Sequence, residues 1–321
     1  MGALTNYLQR EFERLSAPEW VCQPEVHVLS AEMEQVLGYA PRADVILTHR
    51  ERPQRLWVEF EVSRADPVAN HAKFATAHLF RPQLESDVFV AMVSSHVTRG
   101  RRNLAANMVL LMRQAGMSAF QTLLFPKVPP VEIKRLNHLD WHDLEQEHPT
   151  VDAELDRALS ITRPVLTAQG KRIHFAGDLL EVVMNLRQWN EELATAEGST
   201  LWGRRTISYF VFDPQSGNFA PSKFCAYIPL LDGRAILPGR PLLKRPLMSV
   251  ALYAALDQHA ESFDGSQARS HLVDRLAMDP KTAVQAPEVA DAFALWLRLH
   301  AASVAVHPSG PVFLLPPSWF A

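Results

Sequence analysis

The stretch that decides the fold is Arg55–Phe74, "RLWVEFEVSRADPVANHAKF". Its first half has the β-branched and aromatic content of a strand. Side chains alternate faces along a strand. Leu56, Val58, Phe60 and Val62 therefore share one face, and Trp57, Glu59 and Glu61 share the other. Two carboxylates point the same way from a stiff, apolar segment, although acids are almost never fully buried without partners. The second half opens with Asp66-Pro67, a favourable N-cap followed by a favourable first helical residue, and predicts a helix running to Phe80.

Upstream, "ADVILTH" (Ala43–His49) reads as a strand, and "RERPQR" is a charged turn containing proline. The two strands form a hairpin, with Asp44 near the start of one and within reach of Glu59 and Glu61 on the other. Three convergent carboxylates make a hard oxygen site suited to Mg2+, with Mn2+ as a substitute. An isolated E-x-E is more often the solvent face of a hairpin. A helix, a buried strand and a further αβ unit following directly argue against that here.

Downstream come a nearly continuous apolar strand, Asp87–Ser95, a helix ending at Gly116, and a strand, Ala119–Phe125. Before the hairpin lie a helix over Leu4–Leu15, a strand over Pro24–Leu29 and a capped short helix, Ser30–Leu37. The series predicts an α/β domain over residues 1–130, a mixed central sheet flanked by helices. Residues 131–160 are rich in acids and read as a solvated helical connector. His138 and His142 within it have i, i+4 spacing, but no third metal ligand accompanies them. Residues 161–321 read as a second, α+β domain, with a strong amphipathic helix from Ala176 and a strand over Arg205–Asp213.

Pro41-Arg42-Ala43-Asp44, fourteen residues, then Glu59-Phe60-Glu61 resembles the PD-(D/E)XK nuclease superfamily, in which many restriction endonucleases fall. The resemblance covers Leu4–Phe125 and rests on motif spacing together with element order, the short helix being an insertion. It implies a restriction-endonuclease-like core with Asp44 and Glu59 as metal ligands. The chain departs from the pattern twice: Arg42 and Ala43 separate the proline from the aspartate, and Glu61 stands where a lysine is expected. Glu61 then acts as ligand or base in an E-x-E variant, or Lys73 on the following helix takes the lysine's part. By the same resemblance, Asn70 and His71 on that helix reach the metal or phosphate, beside Arg64. Glu34 is a candidate fourth acid.

Composition narrows the function classes. A net charge of -3 excludes a polycationic nucleic-acid coat, while leaving room for a local basic groove. Cys22 and Cys225 form no CxxC and no Cys/His cluster, which fits a reducing compartment. With no apolar run of spanning length, the expectation is a soluble, cytoplasmic protein without a membrane partner. No GxxxxGK[ST] or GxSxG occurs.

Candidate contacts to double-stranded DNA are Arg99, Arg101 and Arg102, which open a helix against its dipole, and Arg204, Arg205, Ser222 and Lys223. The latter group lies among Trp202, Tyr209, Phe219 and Tyr227. The resulting expectation is a Mg2+-dependent DNA endonuclease of restriction or defence type, acting as a homodimer, with a C-terminal target-recognition domain that senses a modified base. The competing readings are a DNA-binding or regulatory protein on a degenerate nuclease core, and a repair or recombination nuclease.

Overall fold

The computed structural model describes residues 2–63, 66–166, 172–230, 245–258 and 263–320. They fall into two compact units, 2–163 and, for the second, 164–230 with the described residues from 245 to 320. The chain is mixed α/β, with a central mixed sheet flanked by helices in the first unit.

The first unit runs α1 (Ala3–Leu15), β1 (Trp20–His27), α2 (Ala31–Leu37), β2 (Arg42–His49), β3 (Arg55–Glu61), α3 (Val68–Phe80), β4 (Val88–Ser94), α4 (Arg99–Gln114) and β5 (Ser118–Leu124). The five strands lie in chain order. β1 and β2 are antiparallel across a connection that carries α2, β2 and β3 are antiparallel across a short turn, and β4 and β5 join parallel to β3 after helical crossovers. The hairpin register sets Ile46 against Trp57 and Val45 against Val58.

Both faces of this sheet are covered. Trp57 and Ile46 pack with Phe74 and Ala77 of α3, Phe89 of β4, and Val109 and Met112 of α4. On the opposite face, the Phe12 ring of α1 meets Phe60 edge-on at 4.9 Å between centroids. Leu4, Leu8 and Phe12, at i, i+4 and i+8, are the buried stripe that seats α1.

Residues 131–160, expected as a solvated connector, form α5 (Pro130–Leu136), α6 (Trp141–Glu147) and α7 (Asp152–Ser160), and belong to the first unit. Apart from Glu154 their acids lie outward or half-buried, while Ile133, Leu136, Leu144, Leu155 and Ala158 are buried. The buried Glu154 also accepts the Phe125 N–H at 3.0 Å. His138 bonds the Lys134 carbonyl and His142 faces Gln146.

The second unit is α+β. It comprises β6 (Val165–Leu166), β7 (Arg172–Phe175), α8 (Leu179–Leu193), α9 (Ala196–Trp202), β8 (Arg205–Ile207), β9 (Tyr209–Asp213), β10 (Asn218–Pro221), α10 (Ser222–Cys225) and β11 (Tyr227–Pro229). There follow α11 (Val250–Asp257), α12 (Gly265–Ser270), a π-helical turn (His271–Arg275), β12 (Asp279–Thr282), α13 (Pro287–His300), β13 (Val304–Val306) and β14 (Val312–Leu315). The strand expected over Arg205–Asp213 breaks at Ser208, because β8 pairs with β13 while β9 pairs with β10 and β14.

The "FAPSKFCAY" segment is a structural crossing at β10–α10–β11. Asn185 of α8, fully buried, donates to the carbonyls of Cys225 at 3.1 Å and Tyr227 at 2.8 Å. Its Oδ1 accepts the Met248 N–H at 2.9 Å.

Candidate functional site

The β2–β3 ladder ends at the pair Val45–Val58. One step beyond, Asp44 and Glu59 stand opposite each other, and side chains replace the backbone ladder. The Phe60 N–H donates to Asp44 Oδ2 at 2.7 Å, and the Asp44 N–H donates to Glu59 Oε1 at 3.3 Å. Each acid thus anchors in the other's strand. Glu59 is 4% exposed and Glu61 6%, beneath the helical layer that covers the Trp57 face. The solvent-face alternative for this E-x-E is therefore overturned by burial.

The electrostatics follow from that burial. Asp44 is pushed up to about 7, chiefly by desolvation and further by the charges of Glu25 and Glu61, against the Phe60 hydrogen bond that favours its ionised form. Glu59 is raised well above the carboxylate range by desolvation and then by Asp44 and Glu61. Glu61 is raised by desolvation, partly offset by Asn70, whose Nδ2 donates to its Oε1 at 2.9 Å. Among the described residues no Lys or Arg forms an ion pair with Asp44 or Glu59. Lys73 is exposed, its Nζ 3.5 Å from Asn70 Oδ1, and its charge eases the ionisation of Glu59 and Glu61 from a distance.

Among the described residues no group of three or more His, Cys, Asp or Glu side chains is arranged to hold a metal ion. The expected three-acid centre is thus not assembled: Asp44 and Glu59 stand together, and Glu61 is turned to Asn70. The donor chemistry of the pair fits a hard divalent cation, since both acids are buried, oxygen-only and mutually repelling. Sequence reasoning missed Glu25 of β1, which lies across from Asp44, at φ +55°, and accepts from Gln9 Nε2 at 2.8 Å. The signal was an acid at the second position of the "PEVHVL" strand.

The remaining candidates scatter. His71 is wholly buried, edge-on to Phe89 at 5.4 Å, with neither ring nitrogen hydrogen-bonded to a described residue, and burial pushes it down to about 4. It cannot touch DNA. Asn70, one position earlier, holds Glu61. Glu34 is engaged by His27 Nδ1 at 2.6 Å. Arg64 lies outside the described residues.

Arg102 is 2% exposed, in the α4 stripe that seats that helix, and is no phosphate clamp. Arg101 is exposed and Arg99 half-buried. In the second unit Arg204 is exposed, Ser222 is buried, and Arg205 and Lys223 are both bound to Asp257. Trp202, Phe219 and Tyr227 are core residues, which removes them as stacking platforms, and Tyr209 is half-buried.

No helix among the described residues is long and apolar enough to cross a membrane. Comparison with family models, with curated proteins and with solved structures gave no match.

Proposed function

We propose that the first unit is a metal-dependent phosphodiesterase core acting on double-stranded DNA, an endonuclease of restriction type with a restriction-endonuclease-like fold. The observation that carries this reading is the Asp44–Glu59 pair, two buried carboxylates set against each other where the β2–β3 ladder opens. An order of helix, antiparallel β-meander, helix and parallel strand supports it, because this is the order the motif resemblance implies.

Asp44 and Glu59 would hold Mg2+. A bound Mg2+ supplies a water of lowered pKa and positive charge for the leaving oxygen. The chain's own residues do the rest. Asn70 fixes the Glu61 carboxylate, which can accept a proton at Oε2. Lys73, exposed beside them, offers positive charge to an approaching phosphate.

A DNA-binding protein on a catalytically silent core is the second reading, favoured by Glu61 at the expected lysine position and by the unassembled third ligand. Plasmid and modified phage DNA incubated with Mg2+ or Mn2+ separate the two. Wild type should nick or cut, and Asp44→Ala and Glu59→Ala should not. Binding without cutting under either metal sinks the enzyme reading; mutants that cut normally sink the site while leaving the activity.

A further inference from the structure

In the second unit two cations converge on one carboxylate. Lys223 of α10 donates from Nζ to Asp257 Oδ1 at 2.8 Å, and Arg205, opening β8, donates from Nη1 to Oδ2. Each carboxylate oxygen takes a different cation. Aromatic faces hold both cations in place: the guanidinium carbon lies 4.8 Å from the Trp202 centroid and 5.1 Å from Tyr253, and Nζ lies 4.3 Å from Phe263. The Trp202 carbonyl accepts from Arg205 Nε at 3.1 Å and fixes the direction of the fork.

Two features mark this as more than an ion pair that tidies the end of α11. Among the described residues one carboxylate is bonded to two cations, which leaves this three-residue cluster net positive. The three side chains also keep 26%, 18% and 34% of their surface for Arg205, Lys223 and Asp257, so solvent and solutes reach them. Burial works against ionisation of Asp257, but the hydrogen bonds and charges of Lys223 and Arg205 outweigh it and hold the carboxyl below its ordinary value. A tetrahedral phosphate offers the same pattern, two anionic oxygens for two separate donors.

We infer that Arg205 and Lys223 form a phosphate-binding site in which Asp257 occupies the anion's place and competes with it. The ligand class is a phosphodiester or free phosphate, and assignment to a DNA backbone rests on the nucleic-acid reading above. Asp257 sets the affinity: an arriving phosphate must displace a carboxylate already held on both oxygens. The site therefore favours a polyanion with other contacts over a single free anion.

The test uses the full chain in EDTA, so that no cutting intervenes, with a fluorescent DNA duplex read by anisotropy across a salt series. Asp257→Asn removes the competitor and should tighten DNA binding about fivefold, with the slope of log K against log salt steeper by about one. Lys223→Gln should weaken binding about fivefold with a shallower slope, and the double variant should lose the gain. If Asp257→Asn binds no tighter and Lys223→Gln no weaker, both with native circular dichroism, the site is refuted.

Should Asp257→Asn fail to fold, Lys223→Gln decides alone, and unchanged binding overturns the site. A parallel arm adds inorganic phosphate and follows thermal unfolding. If no variant binds DNA, the nucleic-acid reading fails. A phosphate-dependent rise in Tm for Asp257→Asn that is absent from the double variant then still supports the anion site, and no rise in either ends it.

Discussion

Replacing Asp44 by Asn tests the candidate site without relying on catalysis. Asn keeps the shape and can still accept the Phe60 N–H, now made at 2.7 Å, but carries no charge to bury. An acid whose pKa is higher in the fold than in the unfolded chain holds its proton more tightly when folded. Its contribution favours folding at low pH and turns against it as pH rises from the unfolded value of 3.8 to the folded value of about 7. That span is about three decades, each worth about 1.4 kcal/mol, so ionising Asp44 in the fold costs up to about 4 kcal/mol above pH 7.

Asp44→Asn should therefore match wild type near pH 4 and exceed it at pH 8, by a margin approaching that figure. Urea denaturation at half-unit pH intervals in EDTA measures it as the difference between the two proteins, which cancels the titrating groups that do not feel Asp44; Glu59, which the Asp44 charge raises, contributes to the difference. Mg2+ at a hundredfold excess over its Kd should restore about 2.7 kcal/mol to wild type at pH 8, and less to the variant. A variant that is no more stable at pH 8 than wild type, or a difference independent of pH, would refute the account of a buried, unpaired acid pair.

Three further outcomes follow from named contacts. His71→Leu should raise stability by about 1–2 kcal/mol at pH 7, because it removes a buried ring whose nitrogens make no bond to a described residue. The wild-type His71, neutral in the fold and pushed down to about 4, favours folding above pH 6.5 and loses that contribution as pH falls toward 4; a His71→Leu protein should lack this acid limb in denaturant melts. Asn185→Leu leaves the Cys225 and Tyr227 carbonyls and the Met248 N–H unpaired in the core, and should cost about 3–5 kcal/mol in urea melts read by tryptophan fluorescence. Lys73→Gln should lower kcat about a hundredfold with KM little changed in single-turnover and steady-state cleavage assays; an unaltered kcat would remove Lys73 from the chemistry.

Period-2 alternation placed Trp57, Glu59 and Glu61 on one face, and the hairpin brought Asp44 across from Glu59, because both are local consequences of strand geometry. Which solvent that face meets is not local. It was set by α3 and α4 folding back over the sheet, and only their packing shows that the acids are buried. His71 was misread although its signal was present. His71, Phe74, Ala77 and His78 recur at i, i+3, i+6 and i+7 and form the buried stripe of α3, leaving Asn70 and Lys73 on the polar side. Arg102 repeats the lesson in line with Ala105, Ala106, Val109 and Met112. The connector was misjudged by counting its acids, when the few apolar positions decided where its helices pack.

Asp257 is a different case. It lies 52 and 34 positions from the cations it binds, so no window of sequence could have disclosed the pairing. The two clusters are electrostatic opposites. Around Asp44 and Glu59, the buried acids have no cation paired to them among the described residues, and burial favours their protonated forms. Around Arg205 and Lys223, two cations are shared by one acid that is left ionised. Charge imbalance of either sign is unfavourable in a fold that has no use for it, since apolar residues of similar size would fill both places at no electrostatic cost. A cation is the simplest partner for the first cluster and a phosphate for the second, and a nucleic-acid phosphodiester with its Mg2+ contains both.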